Sequence, residues 1–244
     1  MTPTTGGRTE PGPPAQAAER CRAVLAELRA VADASRLPGM ARVGIATDRA
    51  LGVPIPTLRR VARTHRGDHQ LALALWTSGV HEARILASMI DDPAQVTAEQ
   101  MEAWVAGLDS WDVCDQVTGN LFTRTAAPMR TARAWAARTE PFVRRAGFAM
   151  LAELAHRDRA SSDTVWERQL PLIRRAATDE RNAVMKAVSW ALRQIGKRNA
   201  HLNERAIAEA EELLALDSRG ARWIARDALR ELRSDAVRER LRGG

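Results

Sequence analysis

The chain has 244 residues, 45% hydrophobic and 27% charged, with a formal net charge of +7 and a pI near 10.8. No apolar run approaches the roughly 18 residues of a membrane span, and two cysteines, Cys21 and Cys114, are too few for a disulfide framework and lack metal-ligand spacing. These features exclude membrane, disulfide-scaffold and structural-zinc classes, while the basic balance makes polyanions the first partners to consider.

The N-terminal stretch "MTPTTGGRTEPGPPAQAAER" is rich in Gly, Pro and Thr and has no apolar signal core, so residues 1–18 are expected to be disordered. Folding is expected to begin near Glu19 and to continue as a single domain over 19–244, in a reducing cytosol. From there the sequence reads as helix: Ala, Leu, Arg and Glu dominate, tyrosine is absent and Phe occurs only three times. Breakers stand between helical lengths at "LPG" (37–39), "VPIP" (53–56), "DDP" (91–93), Pro128 and "TEP" (139–141). Trp76, Trp104, Trp135 and Trp166 recur at intervals of 28, 31 and 31 residues inside apolar helical segments, the mark of stacked helix pairs. They are read as core spacers. The second helices of the pairs, starting at "EARILA", "RRAGFA", "MKAVSWA" and "ARWIARDA", are expected to line a concave surface.

Charge is distributed unevenly along the chain. Between Ile85 and Thr123 lie seven acids and no Lys or Arg; Gly119 to Arg145 then holds six arginines against Glu140 alone. A second basic block, Pro171 to Arg198, has seven bases against Asp179 and Glu180, and Asn199 to Asp217 reverses sign again. In the acidic stretch "DSWDVCDQ", Asp109 or Ser110 suits an N-cap and Asp112 the first turn, where free N–H groups and the helix dipole favour a carboxylate. Asp115 lies one turn further in, at i+4 from Trp111 and on the same helix face. A carboxylate there is either chemistry or one half of an ion pair to an arginine of a neighbouring repeat; spacing does not decide between them.

In the next helix Val143, Ala146, Gly147, Met150 and Leu154 form one apolar stripe, and in "VMKAVSWALRQI" the stripe is Val184, Ala187, Val188, Ala191 and Ile195. Opposite the latter run Lys186, Trp190, Arg193 and Lys197. This face reads either as a nucleic-acid surface, with cations on phosphate and an aromatic against sugar or base, or as a Trp packed on a neighbouring repeat.

The segments "SWDVCDQ", "FVRRAGFAML", "NAVMKAVSWALRQIGKRN" and "ARWIARDALREL", in this order, resemble the AlkD-type DNA alkylation repair glycosylases, a HEAT-like repeat family, over most of the chain from Glu19 onward. The resemblance implies an all-α, HEAT-like helical repeat solenoid with a concave basic DNA-binding surface. It further implies a base-excision-repair glycosylase that hydrolyses the N-glycosidic bond of cationic N3- or N7-alkylated purines in duplex DNA, without a deep base-flipping pocket. By the same resemblance Asp115 is the catalytic carboxylate, with Trp111 and Trp190 beside it. Arg145, or its neighbour Arg144, is the phosphate-binding arginine, and Lys186, Arg193 and Lys197 are further DNA contacts. No cofactor and no metal is expected. The partner is double-stranded DNA carrying alkylated purines, the working unit a monomer, and the location the cytoplasm, at the nucleoid when bound. The alternatives are a HEAT-like protein that binds DNA without cleaving a glycosidic bond and a helical protein-interaction scaffold.

Overall fold

The structure, a computed structural model, describes residues 13–243; the expected disordered segment falls for the most part outside them, on residues 1–12. The first helix, α1 (Pro13–Ala30), begins ahead of Glu19. Fourteen further α-helices follow among the described residues, with two short 3₁₀ turns and no strand. The chain divides into two compact units, Met1–Asp92 and Pro93–Gly244. The boundary lies within the "DDP" breaker.

The first unit holds α1, α2 (Leu37–Arg42), α3 (Ile55–Ala62), α4 (His69–Thr77) and α5 (His81–Ile90). Leu28, Leu58, Leu71, Leu75, Leu86 and Ile90 form its core. "LPG" and "VPIP" start helices here, because proline in the first turn has no N–H to leave unpaired. Asp68 caps α4 by accepting from the Leu71 N–H at 3.0 Å. The carboxylate of Glu82, a buried residue of α5, accepts the backbone N–H groups of Leu51, Gly52 and Val53 at 2.8, 2.7 and 3.2 Å. That trio compensates the burial of a charge and fixes the loop before α3.

The second unit contains α6 (Ala98–Ala106), α7 (Trp111–Asn120), α8 (Pro128–Ala136), α9 (Pro141–Arg157), α10 (Asp163–Glu167), α11 (Leu170–Ala176), α12 (Asn182–Gly196), α13 (Ala200–Leu214), α14 (Arg219–Leu232) and α15 (Asp235–Arg242). Within it α7, α9, α12 and α14 form a row, each packed on the next, and α6, α8, α11 and α13 pack behind them. This is the stacked-pair arrangement of a HEAT-like repeat. Trp104, Trp135 and Trp166 are buried as core spacers, whereas Trp76, in the first unit, is only half-buried and carries the Arg84 guanidinium 4.5 Å above its ring. Phe122 meets Trp135 edge-on at 5.3 Å, an arrangement that adds about 0.5–1.5 kcal/mol to simple burial.

Helix α9 is enclosed on nearly every side, and its approach to α8 depends on Gly147. A Cβ there would stand 2.2 Å from the Ala136 nitrogen and 2.8 Å from the Ala132 oxygen. Because both are backbone atoms, Gly147→Ala must shift a whole helix. A stability loss of about 3 kcal/mol is expected, at the upper end of overpacking costs, read as a fall in the denaturant midpoint at unchanged m-value.

Candidate catalytic carboxylate and nucleic-acid interface

Ser110 is extended (φ −140°, ψ 142°) and opens α7, and its hydroxyl donates to Asp112 Oδ1 at 2.6 Å. Val113, Cys114 and Val117 turn fully into the core, which leaves Trp111 and Asp115, one turn apart, at the partly exposed edge of the helix. The partner of Asp115 comes from α9. Arg145 donates Nε–H to Asp115 Oδ1 at 3.1 Å and Nη2–H to Oδ2 at 2.7 Å, a bidentate pair, and sends Nη1–H to the Ala183 carbonyl of α12 at 2.6 Å. The guanidinium carbon also lies 5.7 Å from the centre of the Trp111 ring. One arginine thus joins three consecutive helices of the row. Its side chain is 6% exposed and that of Asp115 is 21% exposed, so the carboxylate is the member of the pair that reaches solvent.

Burial pushes the Asp115 carboxyl above its ordinary range; Arg145 opposes that shift, and the charges of Asp112 and Glu153 add to it. The adjacent Cys114 thiol is pushed up by burial and is an inert core group.

Arg145, expected on phosphate, has its Nε and both terminal nitrogens engaged within the protein. Arg144 bonds Asp179 at 3.0 Å and the Arg138 carbonyl at 2.5 Å; Arg181 first, and Arg144 with it, hold Asp179 at about 2. On α12 the apolar stripe Val184, Ala187, Val188, Ala191 and Ile195 is completely buried. The opposite face divides in two. Lys186 is exposed and makes no ion pair, whereas Arg193 pairs with Glu231 and, at 3.4 Å, with Asp227, and Lys197 pairs with Glu231 at 2.5 Å. Trp190 is half-buried at i+7 from Ala183, on the same helix face and about 10 Å further along. With the Gln194 amide turned to accept, its oxygen takes the Trp190 indole N–H at 3.1 Å.

The fifth residues of α7, α9, α12 and α14 are Asp115, Arg145, Lys186 and Trp223. The burial patterns of α12 and α14 coincide in this register, with Val184, Ala187, Val188, Ala191 and Ile195 matching Ala221, Ile224, Ala225, Ala228 and Leu232. The ion pair joins Asp115 to Arg145, and matching positions of α12 and α14 carry an exposed, unpaired lysine and a 37%-exposed tryptophan. Trp223 is absent from the sequence-based set of site residues. Its signal was the same helical spacing that singled out Trp190: Arg219, Arg226 and Arg230 lie at i−4, i+3 and i+7 from it, all exposed.

A model of the DNA alkylation repair enzyme family matches residues 24–234. The chain belongs to this family. Membership carries a role in DNA repair, in agreement with the resemblance noted in the sequence. The fold is similar to that of a protein described as one of a new family related to the HEAT-like repeat DNA glycosylases with affinity for branched DNA structures. The TM-score is 0.74 at 19% identity, covering 90% of this chain and 95% of that one. An engineered protein (TM-score 0.43, 15% identity, 92% and 95% coverage) and a designed armadillo repeat protein bound to a (KR)4 peptide (0.38, 14%, 77% and 80%) align more loosely. No curated relative matches the chain. Among the described residues of this DNA alkylation repair family member, no group of three or more His, Cys, Asp or Glu could hold a metal, and no helix is long and apolar enough to cross a membrane.

Proposed function

We propose that the protein is a DNA glycosylase that hydrolyses the N-glycosidic bond of cationic N3- or N7-alkylated purines in duplex DNA, with Asp115 as its catalytic carboxylate. The observation that carries this reading is the partly exposed Asp115, fixed by both oxygens to a buried Arg145 beside the Trp111 ring. An alkylpurine that is already cationic leaves without a general acid. As the bond from C1′ breaks, its electron pair goes to the purine nitrogen and neutralises the base, and positive charge develops on the sugar. Asp115 stabilises that charge and directs a water to C1′; the water oxygen bonds to C1′ and its proton passes to the carboxylate or to solvent. Each carboxylate oxygen keeps a lone pair free of Arg145, which is the capacity this step needs.

In this reading Arg145 is a positioning residue. It opposes the effect of burial on Asp115 and so favours the ionised form. Trp111 and Trp190 lie against the deoxyribose, where their electron-rich faces favour a partly positive sugar. Lys186 is the first phosphate contact, because it is exposed and unpaired; Arg144, Arg193 and Lys197 must leave their carboxylates to join it. The lesion stays outside any deep pocket. A second reading, DNA binding without cleavage, is favoured by the same ion pair, which ties α7 to α9 whether or not chemistry follows.

Release of 7-methylguanine from methylated duplex DNA by the full chain tests the proposal; no release, with duplex binding intact, selects the second reading. Binding itself is expected to weaken steeply with salt. Lys186→Ala should reduce the slope of log K against log salt by about one, while Arg145→Gln, whose charge is already neutralised by Asp115, should leave it nearly unchanged.

A further inference from the structure

At the opposite end of the same helices, a cleft of about 380 Å³ opens between the C-terminal turns of α9 and α12 and the last helix, α15. His156, Arg159, Lys197, Arg198 and Arg240 line it together with Gln194, and no carboxylate is among its lining residues. Basic groups near helix C-termini ordinarily complement the dipole, and Arg198 does this: it donates to the Ala155 carbonyl at 2.8 Å, to the Asp158 carbonyl, and to the Ser161 carbonyl at 3.3 Å. Arg240 does the same for α12, donating to the carbonyl of its C-cap residue Lys197 at 2.7 Å. Arg159 and His156 are not accounted for by such a bond: both are exposed and make no hydrogen bond or ion pair, and of the remaining bases only Lys197 has a carboxylate, Glu231. Burial lowers the Arg198 pKa; the nearby Arg159 charge adds to that effect, while Asp158 and Asp163 oppose it.

We propose that this cleft is a phosphate-binding site, separate from the Asp115 centre. The ligand class follows from the charge and shape of the lining. Several cations converge without an acid among the lining residues; of the three arginines, Arg159 makes no bond and Arg240 makes a single one, so both keep donors for an anion of more than one oxygen, and a singly charged carboxylate would leave one of them uncompensated. The cleft has room for a phosphate ester together with the sugar that bears it. Gln194 lines the cleft and also accepts the Trp190 indole N–H, so its wall is continuous with the face assigned to DNA. Two sources share this chemistry: an internal phosphate of a DNA strand, and a terminal phosphate on a DNA end or a free mononucleotide.

The test uses the full chain in chloride buffer at constant ionic strength, with Arg159→Glu and the milder Arg159→Gln, both at an exposed position with no partner to lose. Thermal unfolding is followed with inorganic phosphate and with a deoxynucleoside monophosphate, and affinity is measured for one duplex bearing 5′-phosphate or 5′-hydroxyl ends. Loss of phosphate-induced stabilisation in the Arg159 variants, or a fall of about tenfold in duplex affinity from the loss of one charge-assisted contact, supports the site. A fall that is equal for both duplex ends assigns it to internal phosphates; a fall confined to 5′-phosphorylated ends, or stabilisation lost with unchanged duplex affinity, assigns it to terminal or free phosphate. The proposal is overturned if neither phosphate stabilisation nor duplex affinity differs between the wild-type chain and both variants. None of these readouts depends on base excision, so the cleft and the Asp115 chemistry stand or fall separately.

Discussion

Single-turnover excision by Asp115→Asn is expected to fall by about 10²- to 10³-fold, the effect of removing one preorganised electrostatic group, and to remain low when Arg145→Gln is added. The pair of variants is needed because the ion pair makes the single change ambiguous. Asparagine can offer Arg145 one carbonyl oxygen where the carboxylate offers two charged ones, so Asp115→Asn leaves a guanidinium that is 6% exposed without its charge partner. Breaking a buried pair from one side costs about 3–5 kcal/mol, and some of the lost activity of the single variant will reflect that. The double variant removes both charges, and two amides can hydrogen-bond in their place. A purely structural Asp115 predicts that stability and excision recover together in Asp115→Asn/Arg145→Gln. A catalytic Asp115 predicts that stability recovers and excision does not. Asp112→Asn is the control: as a first-turn acid it should cost about 0.3–1 kcal/mol of stability and little rate. DNA binding by Asp115→Asn should stay equal or tighten, since a negative charge is removed from the surface proposed to meet phosphate. If excision by the double variant returns to the level of Asp112→Asn, the carboxylate has no chemical role.

The second large effect is expected from Arg145→Gln alone, in the pH dependence of both rate and stability. Burial already places the Asp115 carboxyl above its ordinary range, and Arg145 is the main influence holding it down. In the proposed mechanism the ionised form is the working one, so excision is expected to be present above the Asp115 pKa and lost as pH falls through it. Removing Arg145 raises that pKa further; the acid limb of the rate profile should move to higher pH, whereas Lys186→Ala should leave it in place. Stability follows the same linkage. A carboxyl whose folded pKa exceeds its unfolded value binds protons more tightly in the folded state, so its ionisation is a penalty that grows as pH rises through that interval. The variant is therefore expected to be less stable than wild type by about 3 kcal/mol near pH 7.5 and by visibly less near pH 5. The difference between the two proteins is the relevant quantity, because acids with lowered pKa values, such as Asp179, weaken both alike on acidification. Urea denaturation at the two pH values provides the measurement, and a gap that is constant or wider at pH 5 would refute the assignment of the shift to Asp115.

Local helical geometry accounts for what the sequence determined unaided. At about 100° per residue, Val184, Ala187, Val188, Ala191 and Ile195 had to share a face, and all are fully buried. The same rule brought Trp111 and Asp115 to one edge of α7, and the recurring tryptophans implied stacked pairs, of which Trp104, Trp135 and Trp166 are buried members. These are properties of a few consecutive turns, set by backbone hydrogen bonding and by the removal of apolar surface from water. The identity of charge partners is of a different kind. The acidic stretch between Ile85 and Thr123 has no Lys or Arg of its own, yet Asp91 meets His69 at 2.7 Å, Glu102 takes the Trp135 indole N–H at 2.6 Å and Arg138 at 2.7 Å, and Asp115 takes Arg145. Likewise Arg193 and Lys197, which read as a free basic stripe on their own helix, are neutralised by Glu231 of α14, and Lys186 alone among the expected phosphate contacts is left unpaired. A helix fixes the direction in which each side chain leaves it. Which opposite charge waits there depends on how the neighbouring helix docks, and docking is governed by long-range contacts such as the close approach at Gly147 that no local spacing encodes.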